Sequence, residues 1–362
     1  GTHVPFIIRF PEKYQHLAPG KPGTTVNRMI SFVDLAPTLL SLSGVDVPER
    51  MQGDAFLGDQ KTKDPQYVLG IRNRMDERID LMRSLRDERF LYIRNYMPHR
   101  PYGQYLRYLW RMPATRSWEK EYLEGRCNEV QSRFWQEKPA EELYDVKADP
   151  HNVNNLANDP KYKKELDRFR SALRAKLLEI RDLAFIPEGD RLLRSDTGTI
   201  YEAFQSQEFP LKRVIETAEI ASEGDPAHLN LLIERLSDDD SAVRYWAAIG
   251  CRVLRDRATA AKDALLKQLD DQYADVRIAA AEALFYIGET ESALNLLIRE
   301  VDNEHEMAAL HAINVLTAIE KPAKPAVKVV LRRLWHWDCP GYVKRSGTHF
   351  IKLCAPEWLD TF

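Results

Sequence analysis

The chain of 362 residues holds only four cysteines, Cys127, Cys251, Cys339 and Cys354, and no two of them form a C-x-x-C pair. That spacing excludes a disulfide framework and the common cysteine-based metal clip. Cys339 and Cys354 pair only if the fold brings them together; otherwise free, buried thiols are expected. Net charge is equally scarce, with 52 basic residues against 55 acidic ones giving −3. Such a chain has no global basic field for nucleic acid or an anionic membrane, and neither is expected as a partner. No apolar run approaches the ~18 residues that a membrane span needs. The sequence opens Gly1-Thr2-His3 without an initiator Met, so the lack of a signal peptide says nothing about compartment. What is present, 44% hydrophobic and 30% charged residues, describes an ordinary globular chain long enough for two or three cores.

Chemistry-bearing motifs are also missing. None of the nine His is preceded by Asp, so there is no Asp-His-Gly metal motif. Cys251 has an Arg four residues on, at Arg255, but Val253 stands where a C-x-P-x-R nucleophile motif needs Pro. It also falls in a helical pattern, which argues for packing rather than catalysis.

Three segments carry the positive signal. Val4-Pro5-Phe6-Ile7-Ile8-Arg9-Phe10-Pro11 is an apolar, β-prone run bounded by prolines, as expected of a buried parallel strand. In Met29-Ile30-Ser31-Phe32-Val33-Asp34-Leu35-Ala36-Pro37-Thr38-Leu39-Leu40-Ser41-Leu42-Ser43-Gly44, the leucines 35, 39, 40 and 42 suit one helix face. Pro37 fits its first turn and Gly44 its stop. Glu142-Leu143-Tyr144-Asp145 reads as a short strand, followed by Asp149-Pro150-His151-Asn152-Val153-Asn154-Asn155-Leu156-Ala157, whose Asn and Asp side chains can bond their own backbone. A helix should then start near Asp159-Pro160 and run from 161 to 181 on Leu166, Phe169, Leu173, Leu177 and Ile180.

Between these segments, residues 68–72, 81–86 and 89–96 read as three strands of an antiparallel sheet, joined by the charged loop Asn73-Arg74-Met75-Asp76-Glu77-Arg78 and the turn Asp87-Glu88. Guanidinium groups grip sulfate or carboxylate with two prongs, and carboxylates accept hydrogen bonds from sugar hydroxyls. Arg72, Arg74, Asp76 and Glu77 are therefore the expected pocket-facing group; the competing reading is a solvated loop with internal ion pairs. Arg83, Arg86, Arg89 and Arg94 alternate with apolar residues and are expected to face solvent or pair locally. Residues 104–135 are rich in aromatics and Arg, and packing of a helical insertion is the expected use.

In this order, the first strand, the "VDLAPTLLSLSG" helix, the Met51-Gln52-Gly53 turn, the "RMDER" loop and the closing "ELYD…DP…NNLA" run resemble the sulfatase family, in the subgroup that includes heparan N-sulfatase. The resemblance implies a hydrolase of sulfated carbohydrate, acting on a sulfate ester or N-sulfoglucosamine. It implies an alkaline-phosphatase-like α/β domain ending near residue 60, and an antiparallel-sheet subdomain over 61–186 that shapes substrate choice. His3, where the family has a His or Arg close to the active site, and His99 join Arg72, Arg74, Asp76 and Glu77 as candidate substrate-binding residues; His3 is otherwise a satisfied core histidine. Family enzymes use a formylglycine nucleophile and Ca2+. Ca2+ is thus expected for the full-length enzyme and none for this chain, which has no catalytic residues of that kind and reads as a C-terminal portion, inactive alone. Periplasmic or secreted location follows only from the family's habit.

A second architecture follows residues 187–210, which read as a linker or wrapping segment. Ser241-Ala242-Val243-Arg244 and Ala274-Asp275-Val276-Arg277 recur 33 positions apart, each after an acidic turn and an apolar helix, and a degenerate third copy runs through Ala312-Ile313-Asn314-Val315-Leu316. Helix pairs repeating every thirty-odd residues define a solenoid. The run resembles HEAT repeats, in which Val packs inward and Arg ties to the neighbouring turn; residues 211–362 are expected to form this α-helical part and its cap. The solenoid admits a protein partner. The alternative to an enzyme is accordingly a non-catalytic HEAT scaffold with a remnant sulfatase subdomain.

Overall fold

The computed structural model describes residues 3–195, 198–206 and 209–361; Gly1 and Thr2 at the start, and parts of the 187–210 and 211–362 segments read above, lie outside them. The chain divides into two compact units, each assembled from separated segments. One comprises Gly1–Ile71, Arg83–Arg94 and Glu141–Leu173, the other Arg72–Met82, Asn95–Ala140 and Arg174–Phe362.

The first unit is built on a small antiparallel sheet of four strands in sequence order, β1 (Val68–Arg72), β2 (Met82–Arg86), β3 (Phe90–Asn95) and β4 (Glu141–Asp145). β3 and β4 pair with Phe90 opposite Asp145 and Arg94 opposite Glu141. Alternation along β2 buries Leu85, and β3 and β4 contribute the buried Leu91, Tyr92 and Leu143. The loop after β4 does what its composition promised. Asp149 Oδ2 accepts the N–H groups of Val153 and Asn154, each at 2.7 Å, and Asn155 Oδ1 accepts that of Leu143 at 2.9 Å. Asp159 then caps a 3-10 turn through Lys161 N–H, leading into helix Lys163–Glu179, whose Phe169 ring lies 5.5 Å from that of Tyr67 and 6.0 Å from that of Tyr92.

Two expectations about the start of the chain need correction. Residues 4–11 are extended but belong to no strand, and Ile7 is 90% exposed. A strand needs a ladder partner, and among the described residues this run has none, although the Phe6 ring lies 6.1 Å from that of Phe56. The helix α1 (Leu35–Leu42) forms and ends at Gly44 with φ +69°, as read, but it buries Pro37, Thr38 and Ser41 and leaves Leu39 exposed. Residues 53–60 explain the inversion, because their backbone needs acceptors. Asp34 Oδ1 takes Asp54 N–H, Thr38 Oγ1 takes Phe56 N–H and Ser41 Oγ takes Gln60 N–H, all at 3.0 Å. The polar face of the helix is thereby used inside the unit, while Leu35, Leu40 and Leu42 are half-buried and Leu39 is left outside.

The second unit is mainly helical. An insertion carries α2 (Pro113–Leu123), where the expected aromatic packing appears: Trp118 stacks on Phe134 at 4.7 Å and Tyr122 on Trp135 at 5.8 Å. Residues 187–195 wind into a short helix, Glu188–Leu193, whose buried Asp190 accepts Ser241 Oγ–H at 2.6 Å and Arg194 Nε–H at 2.8 Å. The helices that follow are α3 (Leu211–Glu223), α4 (Leu229–Arg235), α5 (Ser241–Leu254), α6 (Lys262–Lys267), α7 (Ala274–Tyr286), α8 (Thr290–Glu300), α9 (Glu306–Ile319), α10 (Val327–Trp335) and α11 (Gly341–Cys354). α5 packs on α3 and α7, α7 on α8 and α9, and α9 on α11. In the two repeats, Val243 and Val276 are buried. Arg244 bonds Asp238 O at 2.8 Å and Asp271 at 2.6 Å, and Arg277 bonds Asp271 O at 2.7 Å and Glu300 at 2.8 Å. Each Arg thus ties its own turn to the next helix pair, a structural use. The four cysteines are free thiols, Cys251 and Cys354 buried and Cys127 and Cys339 half-buried.

Close packing between these helices has one sharp constraint. A Cβ on Gly250 would sit 2.7 Å from Leu232 Cδ2 and 3.1 Å from Ala221 Cα, so α5 approaches α3 and α4 only because residue 250 has no side chain. Gly250→Ala should therefore lose about 1–3 kcal/mol through overpacking, despite the better helix propensity of Ala. A lower urea midpoint measures this; an unchanged or higher midpoint would contradict it.

Candidate functional site

The loop between β1 and β2 falls in the second unit, and its local shape is a tight turn. Met75 N–H donates to Arg78 O at 2.8 Å and Arg78 N–H to Met75 O at 3.0 Å, with Asp76 in the left-handed region at φ +46°. Asp is among the few residues other than Gly that tolerate this conformation. The turn points successive side chains in different directions, and the five charged residues accordingly meet different fates.

Arg72 lies 3.3 Å from Asp80, whose buried carboxylate also accepts Lys138 Nζ at 2.6 and 2.7 Å. Arg74 bonds Glu188 through Nε at 2.7 Å and again through Nη2, and is largely buried. Asp76 stays partly exposed. Glu77 is fully buried, its Oε1 accepting Arg107 N–H at 2.9 Å. Arg78 is buried as well. Its Nε donates to Tyr105 O at 3.0 Å and its Nη1 to Asn314 Oδ1 and, at 3.2 Å, to Ser346 Oγ; Asn314 Nδ2 in turn donates to Glu77 O at 2.8 Å. Burial pulls the Arg78 guanidinium down to about 10, with Glu77 opposing the shift. Arg345 on α11 brings Nη1 to 3.7 Å from Asp76 Oδ1 and 3.8 Å from Glu77 Oε2.

His99 sits in the interior of the same unit. Burial first, then the charges of Arg100, Arg252 and Lys138, hold it well below 6.5, so it is a neutral imidazole. Beside it Arg100 Nη2 donates to Glu282 at 2.6 Å and Arg252 Nε at 3.0 Å, a buried triad capped by the Arg252 guanidinium 3.5 Å above the Tyr286 ring. His3 is exposed in the first unit. Of the six residues read from sequence, the structure thus gathers Arg72, Arg74, Asp76 and Glu77 on one turn and leaves His3 and His99 elsewhere. Sequence reasoning missed Arg345, Asn314, Ser346 and Asp80. No local signal could find the first three, since Arg78 and Ser346 are 268 positions apart. Among the described residues no three His, Cys, Asp or Glu converge as ligands for a metal ion such as the Ca2+ of the resemblance.

Two buried groups make this unit acid-sensitive. Burial would raise the Glu282 carboxyl, but Arg100 and Arg252 outweigh it and hold it below its usual 4.5. A lowered carboxylate contributes stability above the ordinary Glu range and loses it as pH falls through the folded value. His349, stacked on Tyr105 with ring centroids 3.6 Å apart, is pulled from 6.5 to about 3 by burial, then by Arg78 and Lys352. Between those two values the unfolded chain binds a proton that the folded chain refuses, so stability drops with pH across that window. Urea unfolding from neutral to acid pH should show this decline, and His349→Phe should remove the part that starts near pH 6.5. Glu282→Gln should cost about 3–5 kcal/mol at neutral pH by leaving two guanidinium groups short of a counter-charge. A decline unchanged in His349→Phe would contradict the first assignment, and a neutral-pH stability unchanged in Glu282→Gln the second.

Comparison with known proteins bears on this turn directly. The N-sulphoglucosamine sulphohydrolase C-terminal family matches residues 1–99, and HEAT repeats match residues 202–284. An ulvan-active sulfatase of Formosa agariphila is 41% identical over 200 residues, covering 55% of this chain and 33% of that protein. A delta 4,5-hexuronate-2-O-sulfatase of Bacteroides thetaiotaomicron is 28% identical over 179 residues, covering 48% of this chain and 28% of that protein. A solved structure of a protein with its substrate D-glucosamine-2-N,6-O-disulfate is 19% identical, covering 41% of this chain and 24% of that one, with a TM-score of 0.27. The chain spans about a third of the length of the curated relatives it matches. Residues 1–99, with the whole candidate turn inside them, are a sulfatase C-terminal domain of the N-sulphoglucosamine sulphohydrolase kind, homologous to that of ulvan-active sulfatases, and the chain also carries HEAT-repeat sequence.

Proposed function

We propose that this chain is the C-terminal part of a sulfatase that removes sulfate from sulfated carbohydrate, as a sulfate ester or an N-sulfoglucosamine. The observation that carries the reading is the family match over residues 1–99, which takes in all six candidate residues, His3, Arg72, Arg74, Asp76, Glu77 and His99. The names of the relatives supply the substrate class. The run 4–11, which lacks a ladder partner among the described residues, and the exposed Leu39 of α1 support it as well, as the apolar edge of an alkaline-phosphatase-like α/β domain whose remaining strands would cover them.

The formylglycine and Ca2+ chemistry of sulfatases would then belong to that α/β domain, consistent with the lack of a C-x-P-x-R or S-x-P-x-R motif in these 362 residues. This chain's own contribution is recognition. Arg72 and Asp76 keep solvent exposure and face the sugar, Arg74 and Glu77 fix the turn from behind, and His3 and His99 remain candidates that lie off the turn. The HEAT helices form a solenoid that braces this turn; a protein partner on its outer face is compatible with that role. Following the family's habit, the enzyme is periplasmic or secreted.

The test starts from the coding sequence around the chain. An upstream frame encoding C-x-P-x-R or S-x-P-x-R is expected, and the encoded enzyme should release sulfate from an ulvan-derived oligosaccharide. In that enzyme Arg72→Ala should raise KM about tenfold or more with a smaller change in kcat, as expected for lost substrate binding. Absence of the motif, or no release from any sulfated sugar tried, would leave the HEAT scaffold as the function.

A further inference from the structure

We propose that Arg345, contributed by the last long helix of the HEAT region, joins Asp76 to form a subsite for sugar hydroxyls. The inference rests on the sulfatase reading and names the chemistry that this corner takes.

Arg345 is on the first turns of α11, with its guanidinium 4.8 Å from the Tyr342 ring centroid and Nε donating to Gly341 O at 3.3 Å. Its side chain and that of Asp76 are each about 30% exposed, and their charged atoms stand 3.7 Å apart, close enough to attract but too far to hydrogen-bond. Behind them lies the buried Glu77. One of its oxygens is satisfied by Arg107 N–H, whereas Oε2 has no hydrogen-bond partner among the described residues, the Arg345 Nη1 being 3.8 Å away. A buried carboxylate oxygen without a donor is costly, and a donor arriving from outside relieves it.

Two properties decide what arrives. The corner holds Arg345 with Asp76 and Glu77, and the buried Arg78 stands beside Glu77, so its four charges balance and leave no net cationic field to draw a sulfate. A hydroxyl, in contrast, is both donor and acceptor. It can accept from Arg345 while donating to Asp76 or Glu77, and two neighbouring hydroxyls of a pyranose can bridge the gap between guanidinium and carboxylate. A small shift of the long Arg345 side chain, held by extended contacts and not by a bidentate lock, admits them. The subsite therefore reads the sugar and not its sulfate, leaving the sulfate to other groups.

The 362-residue chain is titrated with an ulvan-derived oligosaccharide and with its chemically desulfated counterpart. Arg345→Ala should weaken binding of both by the same factor, about tenfold, as for a lost hydrogen bond to a charged group; Arg345→Lys should recover part of it. Asp76→Asn, which tolerates the same left-handed backbone, should weaken both as well and serves if Arg345→Ala fails to fold. Equal affinity in wild type and variants would overturn the proposal, and a loss confined to the sulfated probe would show a sulfate site in its place. If the unmodified chain binds neither probe while the complete enzyme still releases sulfate, the subsite fails and the sulfatase reading stands; if both fail, both are withdrawn.

Discussion

The second unit depends on the burial of one cation. Arg78 has left water, and its guanidinium is matched by a carbonyl from the Tyr105 segment, an amide from α9 and a hydroxyl from α11. Removing a charge from water without such partners costs far more than any one contact returns, so these elements order together or not at all. The same logic recurs nearby. Glu282 on α7 answers Arg100 from the loop after β3 and Arg252 from α5, and Asp80 answers both Lys138 and Arg72. Each bridge joins the sulfatase-type segments of the unit to its helices or to one another by charge, in an interior otherwise packed with Ala, Val and Leu.

Most of what was legible in the sequence was local. The stop of α1 at Gly44, the strands around residues 68–72, 82–86 and 90–95, the Asn155 and Asp149 turn and the Val-Arg repeat all follow from interactions within a few residues or one repeat. They were read correctly because propensity and hydrogen bonding act over that distance. The repeat also announced its own chemistry, since Arg244 and Arg277 make the same bond to the preceding turn.

What was not legible depended on partners far along the chain. The run 4–11 has strand composition, but composition cannot supply the neighbour that makes a strand. The leucines of α1 suggest a buried face, yet the backbone of residues 53–60 claims Thr38 and Ser41. In the candidate site, the four charges from Arg74 to Arg78, with the apolar Met75 among them, look alike as a string of letters. A turn with Asp76 in the left-handed region sends Glu77 and Arg78 inward and leaves Asp76 outside, and only the fold separates them. Arg345 completes the corner from a helix that no motif connects to it.

The second unit draws its chain from three stretches, Arg72–Met82, Asn95–Ala140 and Arg174–Phe362. The helices are consequently not a bead that could be trimmed from the rest of the unit. A deletion of residues 209–361 would take away Asn314, Ser346 and Glu282, the partners of the Arg78 and Arg100 cations, at one stroke. Any change in the helices that removes Asn314, Ser346 or Glu282 should therefore be felt at the "RMDER" turn and at Arg100.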